Sequence, residues 1–77
     1  MGKILPLSLA PESVPLKVVE VRVRGRGQSR RLLEIGIVPG AIIKIITKAP
    51  GPLVIEVNGA RFALGWGHAN RVFVEVL

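Results

Sequence analysis

The sequence predicts a small, mainly β domain in which about five short strands roll into a closed or nearly closed barrel, with one short helix after the first strand. Short runs of alternating apolar residues recur along the chain, and a turn signal separates each run from the next. Closure is expected because open strand edges invite aggregation. With 77 residues, 49% of them hydrophobic, the chain forms one domain over residues 1–77.

The first part of the chain has three prolines within residues 1–15, so we expect no regular element there, only an apolar strap lying across the barrel. From Leu16 onward valines alternate with charged residues, which is typical of a half-buried strand that ends at Gly25 and Gly27. The valines that share one face of this strand are Val19, Val21 and Val23.

A single helix is expected over residues 28–35. The glycine after it supplies the left-handed residue that commonly closes a helix, and the Pro-Gly pair that follows predicts a type II turn. The residues that shape this motif are Leu32, Ile35, Gly36, Pro39 and Gly40.

The second half of the chain predicts four more strands. The first covers residues 41–48, and the second and third form a hairpin around Asn58 and Gly59, the strongest short-range hairpin signal. Residues 65–68 are expected to form a flexible corner before a last strand at 72–76.

The inventory of reactive side chains argues against an enzyme. The chain has no Cys, Tyr or Asp, and His68 is its one imidazole. No nucleophile elbow, phosphate loop or zinc-protease spacing accompanies it. Because disulfides are excluded, so small a core must be stabilised by dense packing or by self-association into a homo-oligomer.

The apolar runs are too short for a membrane span, which takes about 18 residues. The apolar segment near the start is interrupted by Pro6, which does not fit an export signal. We therefore expect a cytoplasmic protein with no membrane insertion.

The densest charge cluster lies where the first strand meets the helix, in a chain whose net charge is +6. Its plain interpretation is a solvated edge that discourages strand pairing. The alternative is a binding surface for an anionic partner, because a guanidinium grips carboxylate or phosphate through two hydrogen bonds. The arginines of this cluster are Arg22, Arg24, Arg26, Arg30 and Arg31.

Two further features have competing interpretations. Trp66, between two glycines, is either a partner anchor or a lid over one end of the barrel. His68 is a weak candidate for a metal site holding iron or another divalent transition metal, with glutamates supplied by the fold or by a second copy. No cofactor is required.

Nucleic acid is a second class of partner for a small basic barrel. Binders of single strands usually place aromatic rings in a positive groove. Here the aromatic residues are Phe62, Trp66 and Phe73, and none lies within the arginine cluster. Binding to nucleic acid is therefore the weaker alternative.

The segment from Arg30 to Gly40, with the order basic residue, Leu, Glu, Ile, Gly, aliphatic residue and Pro-Gly, resembles the signature of the FeoA family. The Val57-Asn58-Gly59 hairpin and the strand at 72–74 also fall where that family places its own. Two positions depart from the pattern: Gly65 stands where the family often has a basic residue, and His68 where it often has an acid.

The resemblance implies an SH3-like barrel related to the C-terminal domain of DtxR-like repressors; no winged-helix part accompanies it here, so a stand-alone repressor is not expected. It also implies a non-enzymatic accessory protein of ferrous iron uptake that binds and modulates the cytoplasmic part of a FeoB-type transporter. In this interpretation the arginine cluster and Trp66 contact the transporter.

Overall fold

A computed structural model describes residues 3–23, 25–48 and 50–77. The described chain contains one antiparallel sheet of six strands and two short helices, with a 3₁₀ turn at Leu7–Leu9. The strands are β1 (Ile4–Pro6), β2 (Leu16–Val21), β3 (Ile42–Thr47), β4 (Leu53–Val57), β5 (Ala60–Leu64) and β6 (Val72–Val76). The helices are α1 (Arg26–Ile35), between β2 and β3, and α2 (Trp66–Ala69), between β5 and β6.

The sheet curls around a single core. Its strand order is β1-β6-β2-β3-β4-β5, so β1 and β5 are the two edges. Apolar side chains from strands far apart in this order, such as Val74 on β6 and Ile55 on β4, belong to one buried cluster together with Leu32 of α1. The mainly β fold is confirmed, although it has six strands where about five were expected.

The N-terminal segment differs from the prediction, because it contains a strand. β1 pairs with β6 through Ile4 opposite Glu75 and Leu5 opposite Val74. Pro6 is tolerated because β1 is an edge strand, where one side of the backbone needs no partner. The 3₁₀ turn that follows places Leu7 fully inside the core. This pairing joins opposite ends of the chain, which no local pattern reveals.

The prediction for the inner face of β2 is wrong at Val19. Val18 lies opposite Val74 and Glu20 opposite Phe73, so Val19 is an extra residue in a β-bulge. Val18 is consequently buried, whereas Val19 is 38% exposed.

The helix ending and the turn after it are confirmed. Gly36 has φ 104°, and its N–H donates to the Leu33 carbonyl oxygen at 3.0 Å while the Ile37 N–H donates to that of Leu32 at 2.9 Å. These two bonds form a Schellman motif. In the turn, the Ala41 N–H donates to the carbonyl oxygen of Val38 at 3.0 Å.

The β4–β5 hairpin is confirmed as well. Val57 pairs with Ala60 across a two-residue turn, and both turn residues have the positive φ that a type I′ turn requires, 52° at Asn58 and 81° at Gly59. The corner at 65–68, expected to be flexible, is instead largely the short helix α2. Its turn closes through the Ala69 N–H, which donates to the Gly65 carbonyl oxygen at 3.0 Å.

Candidate partner-binding surface

The helix α1 presents two arginines to solvent. Arg30 and Arg31 are both exposed, whereas Leu32 beside them is 1% exposed and Ile35 packs against the core. In the described part of the chain, the ion pairs are those of Arg22 with Glu20 and of Arg61 with Glu56. The guanidinium groups of Arg30 and Arg31 therefore remain available to an external anion.

The end of α1 is held tightly against the β4–β5 hairpin. A Cβ atom added at Gly36 would lie 3.1 Å from Cγ1 of Val57 and 3.2 Å from Nδ2 of Asn58. Only a glycine allows this close approach without displacing its neighbours. The helix that carries Arg30 and Arg31 is consequently fixed on the barrel.

Arg22 is engaged within the molecule. Its Nε and Nη2 donate to the carboxylate of Glu20, the latter at 3.3 Å, and its guanidinium carbon lies 4.7 Å from the centre of the Phe73 ring. The hydrogen bond from Arg22 lowers the pKa of the Glu20 carboxyl below its ordinary value and raises the pKa of Arg22. Because Arg22 already has a carboxylate and a ring as partners, it is a weaker contact candidate than Arg30 or Arg31.

The other two arginines of the predicted cluster cannot be placed in this surface. Arg24 lies outside the described residues, and Arg26 is the first residue of α1 with a side chain that is also outside them. No described contact joins Arg22 to Arg30 or Arg31.

Arg71 is a basic residue near Arg22 that sequence reasoning missed. The N–H of Arg22 donates to the carbonyl oxygen of Arg71 at 2.8 Å, which brings the end of β2 next to the start of β6. The side chain of Arg71 is exposed. The two arginines are far apart in the chain, so only the sheet pairing reveals their proximity.

Trp66 connects α2 to the turn between β3 and β4. Its indole Nε1 donates to the carbonyl oxygen of Gly51 at 2.8 Å, while 43% of the residue stays exposed. This bond supports the interpretation as a lid, and the exposed part of the ring leaves area for a partner.

His68 is half-buried on α2. Within residues 3–23, 25–48 and 50–77 no group of three or more His, Cys, Asp or Glu side chains is arranged to hold a metal ion.

A depression of about 630 Å³ lies between α1 and β5. Its lining residues are Gly27, Arg31, Glu34, Ile35 and Phe62.

Neither helix of the described chain has the length and apolarity needed to cross a bilayer.

Comparison of this chain with known proteins identifies its family. The FeoA domain family model matches residues 5–76. A protein of Methanocaldococcus jannaschii assigned as an Fe(2+) transport protein A is 34% identical over 70 residues, which are 91% of this chain and 84% of the relative.

Solved structures agree with the sequence comparison. The crystal structure of an iron uptake regulatory protein, FeoA, superposes with a TM-score of 0.85 at 36% identity, covering 97% of this chain and 99% of that one. FeoA of Stenotrophomonas maltophilia, an SH3 domain protein complexed with zinc, superposes with a TM-score of 0.74 at 32% identity. The superposition covers 96% of this chain and 88% of that one. At the level of the fold alone, a manganese-dependent transcriptional repressor gives a TM-score of 0.85 at 16% identity, covering 100% of this chain and 44% of that one.

Proposed function

This chain belongs to the FeoA domain family of ferrous iron transport accessory proteins, and we propose that it is a non-enzymatic regulator that binds the cytoplasmic part of a FeoB-type transporter through α1. The observation that carries the proposal is the pair of exposed arginines, Arg30 and Arg31, which have no ion-pair partner among the described residues and lie on a helix fixed to the barrel. The protein then acts in the cytoplasm, where it meets the transporter's soluble domain.

Electrostatics supports this choice of surface. With a net charge of +6, the protein attracts an acidic surface from a distance and accelerates the encounter. At contact, Arg30 and Arg31 can form charge-assisted, two-pronged hydrogen bonds with carboxylates. Because the Schellman ending and Gly36 hold the helix in place, few backbone degrees of freedom are lost on binding.

Charge reversal on the helix tests the surface. We expect Arg30→Glu combined with Arg31→Glu to weaken capture of the transporter's soluble domain by about tenfold or more, because two charge-assisted contacts are replaced by repulsion. The matched control is Lys3→Glu combined with Arg71→Glu, which changes the net charge equally at exposed positions outside α1. Equal capture by both double variants contradicts the proposed surface.

The regulatory part of the proposal has its own measurement. Adding the wild-type protein is expected to change the rate at which the transporter domain hydrolyses GTP, and the helix variant is expected to abolish that change. A rate of GTP hydrolysis that is unaffected by saturating wild-type protein contradicts modulation but does not contradict binding.

In the same preparation, tight binding to an oligonucleotide at physiological salt would favour the nucleic-acid alternative, because such binding is mainly electrostatic and weakens with salt.

A further inference from the structure

Among the described residues, the outer edge of β5 has no strand partner, and the proposed function does not use this edge. The other free edge, β1, is three residues long and contains Pro6, whereas β5 has five residues and no proline. In the β4–β5 ladder, Val57 pairs with Ala60 beside the two-residue turn, and hydrogen-bonded pairs then alternate with non-bonded ones. Arg61 and Ala63 therefore direct their N–H and C=O groups away from β4, toward the open side.

The depression between α1 and β5 lies beside this edge. Phe62, whose side chain packs against the core from β5, and Ile35 of α1 supply apolar lining, while Arg31 and Glu34 add one charge of each sign. Side chains alternate between the two faces of a strand. A strand added next to β5 would thus direct every second side chain toward Phe62 and Ile35.

The opposite face of the sheet carries a row of alternating charges that ends at this edge. Lys44 on β3 lies opposite Glu56 on β4, and Glu56 lies opposite Arg61 on β5. Arg61 Nε is 3.9 Å from Glu56 Oε1. Opposite charges on neighbouring strands stabilise a sheet and like charges destabilise it. The next position in the row, beyond Arg61, therefore favours an acidic side chain.

We propose that the β5 edge binds an extended acidic segment of a partner protein by strand addition. Apolar residues at alternate positions of that segment enter the depression beside Phe62, and acidic residues between them lie next to Arg61. A second copy of this chain is a poor occupant, because each copy has a net charge of +6. The proposal does not depend on transporter binding, although Arg31 both lines the depression and belongs to the surface proposed for the transporter.

A labelled short peptide of alternating valine and glutamate is the probe, and fluorescence anisotropy measures its binding. Ala63→Pro removes an outward N–H without removing a bond to β4, and we expect it to weaken binding by about tenfold, through one lost hydrogen bond and the bulk of the ring. Ala63→Thr keeps the N–H and is expected to bind as the wild type does. The proposal is overturned if the wild type fails to bind the probe, or if a folded Ala63→Pro variant binds it equally well.

Modified probes keep the test decisive even if Ala63→Pro does not fold. Two peptides, N-methylated at the odd or at the even positions, are compared on the wild-type protein. Strand addition predicts that one set of methyl groups blocks binding and the other does not; equal binding overturns the proposal.

Arg61→Glu is expected to reverse the preference from the valine–glutamate probe to a peptide of alternating valine and lysine. A dimer seen by sedimentation and dispersed by Ala63→Pro would instead identify a second copy as the occupant, contrary to the proposal.

Discussion

At the scale of single residues, Gly36 and Arg22 show how short-range chemistry determines the arrangement of the candidate surface. Gly36 combines a positive φ with a close approach to Val57, so its hydrogen atom is needed both for the backbone conformation and for packing. Arg22, which directly follows β2, lies between the carboxylate of Glu20 on β2 and the ring of Phe73 on β6. The first role is readable from the Ile-Gly-Ile sequence, whereas the second needs the sheet pairing.

Replacing Gly36 with alanine is expected to destabilise the fold by about 1–2 kcal/mol from the left-handed backbone alone, and by more because the new Cβ meets Val57 and Asn58. The control is Gly40→Ala, where φ is also positive, at 95°, but no atom lies within 4 Å of the added Cβ. Urea unfolding should show the larger loss for Gly36→Ala. Equal losses would mean that the close approach to the hairpin contributes nothing.

The ion pair of Glu20 and Arg22 makes stability depend on pH at acid values. Because Arg22 lowers the pKa of Glu20 in the folded state, the pair stabilises the fold above the ordinary carboxyl value of 4.5, and this contribution disappears as pH falls through the lower folded value. We therefore expect Glu20→Gln to lower the thermal midpoint slightly at pH 7 but not at an acid pH where the folded-state carboxyl is already protonated. In an Arg22→Gln background the same substitution should have no effect at either pH; a persistent difference would contradict the pairing.

At the scale of elements, the sequence predicts what local chemistry determines and misses what distant pairing determines. The ending of α1 and the Asn58-Gly59 hairpin were predictable, because the residues that favour each conformation lie within it. The strand β1 was missed because residues 4–6 become a strand only by pairing with β6, which is distant in the sequence. The bulge at Val19 was missed because it depends on how β2 pairs with β6. The short helix α2 was mistaken for a corner, since Gly65 caps its start and Gly67 lies within it, and glycines usually break helices.

The N-terminal segment closes the core rather than lying over it, and two neighbouring leucines test this. Leu7 is fully buried, so Leu7→Ala should cost about 2–5 kcal/mol through lost burial and the cavity left behind. Leu9, in the same 3₁₀ turn, is 70% exposed, and Leu9→Ala should change the unfolding free energy by less than about 0.5 kcal/mol. A tolerated Leu7→Ala would show that the segment is a loose strap.

At the scale of the whole molecule, the protein combines a fixed barrel with an excess of positive charge. The sequence indicated the charge cluster, and the structure divides it: Arg22 is occupied by Glu20, whereas Arg30 and Arg31 are exposed and unpaired within the described ranges. The Phe73 ring over which Arg22 lies comes from another strand, and the partner of Arg22 is one of several carboxylates that could have paired with any of these arginines, so composition and spacing could not predict the division. The proximity of Arg71 to Arg22 has the same origin.

The most direct test of recognition through α1 is an NMR titration of the isotope-labelled protein with the cytoplasmic domain of a FeoB-type transporter. We predict that the amide signals of Arg26–Ile35 shift or broaden most, that raising the salt concentration reverses the change, and that the Arg30→Glu, Arg31→Glu variant loses it. Saturating binding that leaves these amides unchanged and perturbs only the sheet would contradict the account.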